Sequence, residues 1–178
     1  MLLFLDMEFT AETSYSLWLI PDRTTTKIIR EIMTALARKY NAPEFSPHCT
    51  LLGHLKNEHK EGIVSLLDEL KYPIIPFEVE IVDYSDYYWK TLFLQLKHAP
   101  ELMKIYELFQ SRLPERISYE FDPHISLMYK ILPLATLKLQ SQLIDAFSGG
   151  IFDSIALFRT GDMIKSWQKI YEKKLSTI

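Results

Sequence analysis

Two rhythms of apolar and polar positions take turns along this chain. The run from Tyr15 to Ile20 (YSLWLI) is short, apolar and closed by Pro21, which predicts a buried strand. Between Thr24 and Tyr40, the residues Ile28, Ile32, Leu36 and Tyr40 fall on one helical stripe, with Ile29 and Met33 beside it. A strand from His48 to Gly53 comes next. It leads into a helix over Glu58 to Leu70 that is expected to bury Ile63, Leu66, Leu67 and Leu70. Phe77, Val79 and Ile81 then alternate with Glu78 and Glu80, the period-two signature of a half-buried strand.

The same order returns in the second half. Thr91 to Lys97 reads as a strand, and Ala99 to Leu113 as a helix with Leu102, Ile105, Tyr106, Phe109 and Leu113 inward. A strand begins at His124. Pro133 suits the first turn of a further helix carrying Leu134, Leu137, Leu143 and Phe147. Strands over Phe152 to Thr160 and Lys165 to Glu172 close the chain. The interval from Tyr15 to His48 equals that from Thr91 to His124, and the intervals from each histidine to the next strand, at Phe77 and Phe152, differ by one residue. Both halves therefore read β-α-β-α-β. A unit of this size hides its sheet face poorly alone, and pairing with its twin about a pseudo-two-fold solves that problem. The expected fold is α+β: two pseudo-symmetric β-α-β-α-β lobes, with antiparallel-rich sheets facing a central cleft and helices outside. One bilobal domain is expected over residues 1–178, with approximate half-units 13–84 and 90–173.

Composition narrows the class. With 178 residues, 48% of them hydrophobic and 24% charged, the chain is long enough for one well-cored domain and is not disordered. A net charge of −3 lacks the basic surplus of a protein that grips long nucleic acid, and favours a small phosphorylated ligand held by a few placed groups. A single cysteine, Cys49, rules out an intramolecular disulfide framework and fits a reducing compartment. The opening MLLFLDMEF has no basic lead, meets an acid at Asp6 and is too short to span a membrane, so a cytoplasmic location is expected.

The chemistry lies in a motif written twice, FSPHCTLLG from Phe45 and FDPHISLMY from Phe121. Side chains alternate faces along a strand, so His48, Thr50 and Leu52 are expected on one face and His124, Ser126 and Met128 on its counterpart. Each strand presents an imidazole beside a hydroxyl, and a pseudo-two-fold would bring both pairs to one cleft. Opening a cyclic phosphate needs a base for water on one side of phosphorus and an acid for the departing oxygen on the other. Histidine titrates near neutrality and serves either role. The hydroxyls of Thr50 and Ser126 are suited to the non-bridging oxygens, where charge builds in the transition state. This scheme requires no metal and no other cofactor. A lone histidine after proline is usually structural, but packing rarely asks for histidine plus hydroxyl in the same setting twice.

The doubled Phe-x-Pro-His-x-(Ser/Thr)-Leu resembles the mark of the two-histidine phosphoesterase superfamily. YSLWLIP, PEFSPHCTLLG, DPHISLMY and IALFRTGDMIKSWQKI, in that order from about Tyr15 to Ile170, are similar to segments of its cyclic phosphodiesterase branch. The resemblance implies a bilobal fold with the cleft between the lobes. It also implies hydrolysis of ADP-ribose 1″,2″-cyclic phosphate to the 1″-phosphate, or of nucleoside 2′,3′-cyclic phosphates to 2′-phosphates. His48 and His124 become the acid–base pair, with His124 activating water and His48 protonating the leaving oxygen; Thr50 and Ser126 bind phosphate. The resemblance also places Tyr129 near the phosphate, although strict alternation puts it on the far face, so it must lie past a bend or strand end. Lys130 stands where the family often has glycine and is expected to be solvated.

Tyr87, Tyr88 and Trp89 crowd one loop, where they form either a stacking platform for a base or an inter-lobe packing cluster; the resemblance aligns Tyr88 with an aromatic bordering the cleft. Trp18, Trp167 and Cys49 are expected in the core, and His54 and His59 lack the partners of a metal clasp. The expected partner is a small cyclic-phosphate nucleotide bound by a monomer, with no membrane and no obligate protein partner. An RNA-end processing enzyme related to the 2′-5′ RNA ligases is the nearest alternative, and a non-catalytic nucleotide- or RNA-binding protein the alternative from another class.

Overall fold

A computed structural model describes residues 14–113, 117–144 and 147–176. The apolar opening Met1 to Phe9 lies outside them. Along the chain run β1 (Ser14–Pro21), α1 (Arg23–Tyr40), β2 (Cys49–Leu55), α2 (Lys60–Glu69), β3 (Ile75–Tyr84), β4 (Leu92–Leu96), α3 (Pro100–Arg112), β5 (His124–Met128), α4 (Leu134–Leu143), β6 (Gly149–Thr160) and β7 (Gln168–Lys174). Among the described residues, four α-helices and seven strands make the fold α+β, with the β-α-β-α-β order written twice and β7 appended.

The strands form one seven-stranded sheet in the order β2-β1-β6-β3-β4-β5, with β7 on β6. Every pairing between these strands is antiparallel. Exchanging β1 with β4, β2 with β5 and β3 with β6 leaves the six-strand order unchanged, which is the pseudo-two-fold in topological form. The two halves are woven together, because the third strand of each half joins the opening strands of the other: β3 pairs with β4 and β6 pairs with β1. Their junction is the β3–β6 ladder, Ile75 to Glu78 against Gly149 to Phe152. Gly149 permits that close approach, since a Cβ on it would stand 2.1 Å from the carbonyl oxygen of Phe77. The motif strands β2 and β5 lie at the two ends of the sheet order, yet they pack against each other in space.

Local sequence explains the helix bounds. Asp22 caps α1 by accepting the Thr25 amide at 2.8 Å, and Asn41 ends it in the left-handed region at φ 49°. The face α1 buries is Thr25, Ile29, Met33, Leu36 and Ala37, one position round from the expected stripe; Ile28 is 41% exposed. Small Ala37 lets that neighbouring stripe approach more closely. Leu134 and Leu143 of α4 are also exposed rather than inward. Leu137 and Gln140 are buried in their place, with the Gln140 amide oxygen accepting from Lys39 at 3.1 Å. In β3 the register with β4 slips between Val79 and Ile81, which turns Ile81 out to 53% exposure and buries Val82. The Leu17, Leu19, Ile125, Ile155 and Leu157 side chains anchor the core beneath the sheet. No helix among the described residues is long and apolar enough to cross a membrane.

Candidate active site

The two motif strands carry the same irregularity. In the first half Leu17 faces Leu52 while Trp18 faces Thr50, leaving Leu51 as an extra residue. In the second half Leu92 faces Met128 while Phe93 faces Ser126, leaving Leu127 extra. The motif leucine is therefore a β-bulge in both copies. One inserted residue flips the facing of everything after it. This corrects the expected faces: Leu52 and Met128 do not continue the His-hydroxyl face, and Leu51, Leu52, Leu127 and Met128 are all buried. It also explains Tyr129, which sits just past β5 and comes round to the side of Ser126.

Each histidine is tethered to its own chain in the same way. His48 Nδ1 lies 2.7 Å from the Ser46 carbonyl oxygen, and His124 Nδ1 lies 2.7 Å from that of Asp122. A carbonyl only accepts, so both Nδ1 atoms hold hydrogen and both Nε2 atoms are left to take or give a proton. The environments differ. His48 is 6% exposed and stacks face to face on Trp18, with ring centroids 3.7 Å apart and planes 12° from parallel. Burial pushes its pKa down to about 4; the Ser46 carbonyl opposes that fall, and the charge of His124 adds to it. The side chain of His124 keeps 17% exposure, with the Asp122 carboxylate 4.0 Å from its Nδ1 and Phe93 edge-on at 5.7 Å. Its pKa is also lowered, by burial first and then by Lys90, against the opposing pull of the Asp122 carbonyl and carboxylate. Asp122 is ion-paired with Lys90 and accepts from Gln95 Nε2 at 3.0 Å; burial is the largest single effect on its carboxyl and pushes it up, but Lys90, Gln95 and His124 together outweigh it and hold the carboxyl below the usual range.

Ser126 is buried and its hydroxyl donates to the Trp89 carbonyl at 3.0 Å, while Thr50 is half-buried with no side-chain hydrogen bond among the described residues. Tyr129 is 4% exposed; burial raises the pKa of its hydroxyl, and the neighbouring Ser126 side chain works against that rise. Aromatic rings from both halves then close the wall. Phe45 stacks on Tyr129 at 4.0 Å, and Trp89 and Trp167 meet Tyr129 edge-on at 5.3 and 6.1 Å. Trp167 also reaches His48 at 6.2 Å. Tyr88 stands at the rim, 37% exposed and 6.1 Å from Tyr129, whereas Tyr87 turns outward.

Several of these neighbours escape the sequence reading. Trp18 is a core residue as expected, but its face is the platform for His48. Trp167 is half-exposed in the wall rather than core. Phe45, Lys90, Gln95 and Asp122 carried no assigned role; for Asp122 the signal lay in the contrast of Phe-Asp-Pro-His with Phe-Ser-Pro-His. Cys49 is fully buried and its thiol is pushed up to about 12, chiefly by burial. His59 accepts the Lys56 amide at 2.9 Å, a local structural bond, and His54 and His98 are exposed. Lys130 is half-buried, its amide directed at the Thr91 hydroxyl at 3.4 Å.

Residues 13–175 match the family described as "Cyclic phosphodiesterase-like protein". The cyclic phosphodiesterase of Arabidopsis thaliana is 29% identical over 126 residues, which covers 69% of this chain and 68% of the plant protein. Among solved structures, TT0787 of Thermus thermophilus superposes with a TM-score of 0.61 at 16% identity, covering 92% of this chain and 98% of its own. E. coli LigT complexed with 3′-AMP gives a TM-score of 0.59 at 13% identity, covering 93% and 99%. These two likenesses establish a common fold.

Proposed function

The chain belongs to the cyclic phosphodiesterase-like family, as an enzyme of the two-histidine phosphoesterase superfamily, and we propose that it hydrolyses small nucleotide-like cyclic phosphodiesters by acid–base catalysis between His48 and His124. One observation carries this reading: two imidazoles, each fixed through Nδ1 to the carbonyl two residues earlier, leave both Nε2 atoms free for proton transfer on motif strands that pack together. In this scheme one Nε2 takes a proton from the attacking water while the other gives one to the departing ester oxygen, a pairing worth about 10²–10⁴-fold for each role. Thr50, Ser126 and Tyr129 contribute hydroxyls to the non-bridging oxygens, and the Tyr88 ring borders a base at the rim. ADP-ribose 1″,2″-cyclic phosphate and nucleoside 2′,3′-cyclic phosphates are the proposed substrates. The E. coli LigT structure with 3′-AMP supports a ligand of nucleotide monophosphate size for this fold. The reading includes a monomeric, cytoplasmic enzyme, in keeping with a lone, fully buried cysteine.

The test is a panel of these cyclic phosphates incubated with wild type, His48→Ala and His124→Ala in excess EDTA. Turnover is expected to persist in the chelator and to fall at least about 10²-fold in either variant. Activity that vanishes with EDTA and returns with zinc overturns the scheme. Tight binding without turnover across the panel favours the non-catalytic alternative, and turnover confined to RNA ends favours the RNA-processing one.

A further inference from the structure

The segments leading into the two motif strands run in parallel, Glu-Phe-Ser-Pro-His from Glu44 and Glu-Phe-Asp-Pro-His from Glu120, but one residue earlier they part, with Pro43 in the first and Tyr119 in the second. A second difference lies past the bulges, where the first copy has Gly53 and the second Tyr129. The two differences meet in space. A Cβ on Gly53 would stand 3.0 Å from Cε2 and 3.2 Å from Cδ2 of Tyr119, so the Tyr119 ring fills the room that a side chain at this position would need. The counterpart contact is the stack of Phe45 on Tyr129. In each, the segment before one motif strand reaches the residue past the bulge of the other. Each contact also contains one phenol, which comes from the end of the strand at Tyr129 and from the leading segment at Tyr119.

Tyr119 is itself anchored. Its carbonyl accepts from the Tyr106 hydroxyl at 2.7 Å. Gln110 of α3 donates to that hydroxyl at 3.1 Å and to the Ile117 carbonyl at 2.9 Å, and accepts the Ile117 amide at 3.0 Å. From this footing the Tyr119 hydroxyl donates to the Thr50 carbonyl at 3.4 Å. Burial, first among the causes, pushes that hydroxyl well up, so it remains a donor near neutral pH. Thr50 is where such support matters. Its strand ends the sheet order with β1 as its one hydrogen-bonded neighbour, and the bulge at Leu51 interrupts that ladder directly after it. Ser126 is held through its own hydroxyl by the Trp89 carbonyl, whereas the Thr50 hydroxyl has no partner among the described residues and is open to a ligand. We propose that Tyr119 is a positioning residue for the phosphate site: it fixes the Thr50 backbone at the bulge, so that the Thr50 hydroxyl is already aimed when a non-bridging oxygen arrives, and position 53 is glycine to admit its ring. This rests on the hydrolytic reading above, in which Thr50 binds phosphate. Tyr119 acts through Thr50 and takes no part in proton transfer. A donor aimed in advance counts most where charge develops, so loss of the tether falls on kcat rather than on KM.

Two measurements on the full chain test this. The first is steady-state kinetics on a nucleoside 2′,3′-cyclic phosphate with Tyr119→Phe, which removes the hydroxyl and keeps the ring. It is expected to lower kcat about 10-fold with KM little changed. Combined with Thr50→Val, which leaves no hydroxyl to aim, Tyr119→Phe is expected to cost nothing further; combined with Ser126→Ala it is expected to cost the same factor again. A merely structural loss would multiply in both backgrounds. A Tyr119→Phe enzyme as fast as wild type, or one whose added loss is the same in the two backgrounds, overturns the proposal. The second follows the backbone carbonyl-carbon NMR signals of the free protein. Tyr119→Phe is expected to move the Thr50 signal and to leave that of Ser126, its counterpart, in place. A Thr50 signal that ignores the change overturns the proposal as well. A wild type that turns over no cyclic phosphate sinks the hydrolytic reading instead, and the Thr50 carbonyl still decides whether Tyr119 holds that strand.

Discussion

Replacing His48 with asparagine should remove a defined part of the protein's sensitivity to acid. The asparagine side-chain amide can reach the Ser46 carbonyl much as Nδ1 does, so the local tether is kept while the titrating group is lost. In the folded wild type His48 titrates at about 4, lowered mainly by burial, against an ordinary value of 6.5. Above the ordinary value neither the folded nor the unfolded chain binds a proton here, and the histidine costs nothing. As pH falls from there towards the folded value, the unfolded chain takes up a proton that the folded chain refuses, so stability declines. Below the folded value both bind and the loss stops growing. At about 1.4 kcal/mol for each pH unit across that window, the loss comes to roughly 3 kcal/mol. Urea denaturation of both proteins at intervals from pH 7.5 to 4, read by Trp fluorescence, isolates this term as the difference between two stability curves. The wild type should lose roughly 3 kcal/mol more than His48→Asn over the interval. Parallel curves would show that His48 is not held neutral by burial against Trp18, and the electrostatic account of the site would fail with it.

Thr50→Val keeps the shape of the side chain and Ser126→Ala removes only an oxygen, so each should lower kcat by about 10²-fold while substrate affinity changes little, as steady-state kinetics on a nucleoside 2′,3′-cyclic phosphate would record. Gly149→Ala forces a methyl group to 2.1 Å from the Phe77 carbonyl at a φ of +155°, and should destabilise the fold by at least about 2 kcal/mol in chemical denaturation. The buried Cys49, with its thiol pushed up to about 12, should resist iodoacetamide at pH 8 in the native protein and react once the chain is unfolded in urea, which mass spectrometry distinguishes directly.

Much of this architecture is legible in the chain because repetition supplies its own control. The two intervals from strand to histidine match, so the doubled β-α-β-α-β order could be read without knowing where any element lay in space. Identity of the motif residues was equally legible, since a histidine and a hydroxyl recur with the same proline and leucine around them. Three features were not legible, each for a physical reason. The exchange of β3 and β6 between halves depends on which strand edges meet, and side-chain periodicity says nothing about edges. The bulges at Leu51 and Leu127 insert a residue without altering the apolar pattern, because leucine is at home on either side of a bulge in a buried strand. The inner face of α1 was misplaced by one position because apolar residues occupy two neighbouring stripes, and only the packed structure reveals that Ile29 and Ala37 face the sheet while Ile28 does not.

The shared bulge shows what duplication did for chemistry. A motif strand at the end of the sheet order has one hydrogen-bonded neighbour, β1 for β2 and β4 for β5, and its other side is turned towards its twin. Because the bulge follows the hydroxyl residue directly, the strand offers one imidazole and one hydroxyl and then changes face, so the next residue able to point the same way is Gly53 in the first copy and Tyr129 in the second. A perfectly repeated site would accept the two ester oxygens of a cyclic phosphate in either sense, and half of those encounters would meet the wrong proton. Three of the positions that differ between copies lie beside the histidines or hydroxyls: Ser46 against Asp122, Gly53 against Tyr129, and Trp18 against Phe93 opposite the two hydroxyl residues. Each substitution gives one side of the cleft a property that its twin lacks, a carboxylate, a phenol or a broad aromatic platform. On the proposed hydrolytic reading, symmetry supplies two like proton carriers, and these departures from symmetry give the reaction between them a direction.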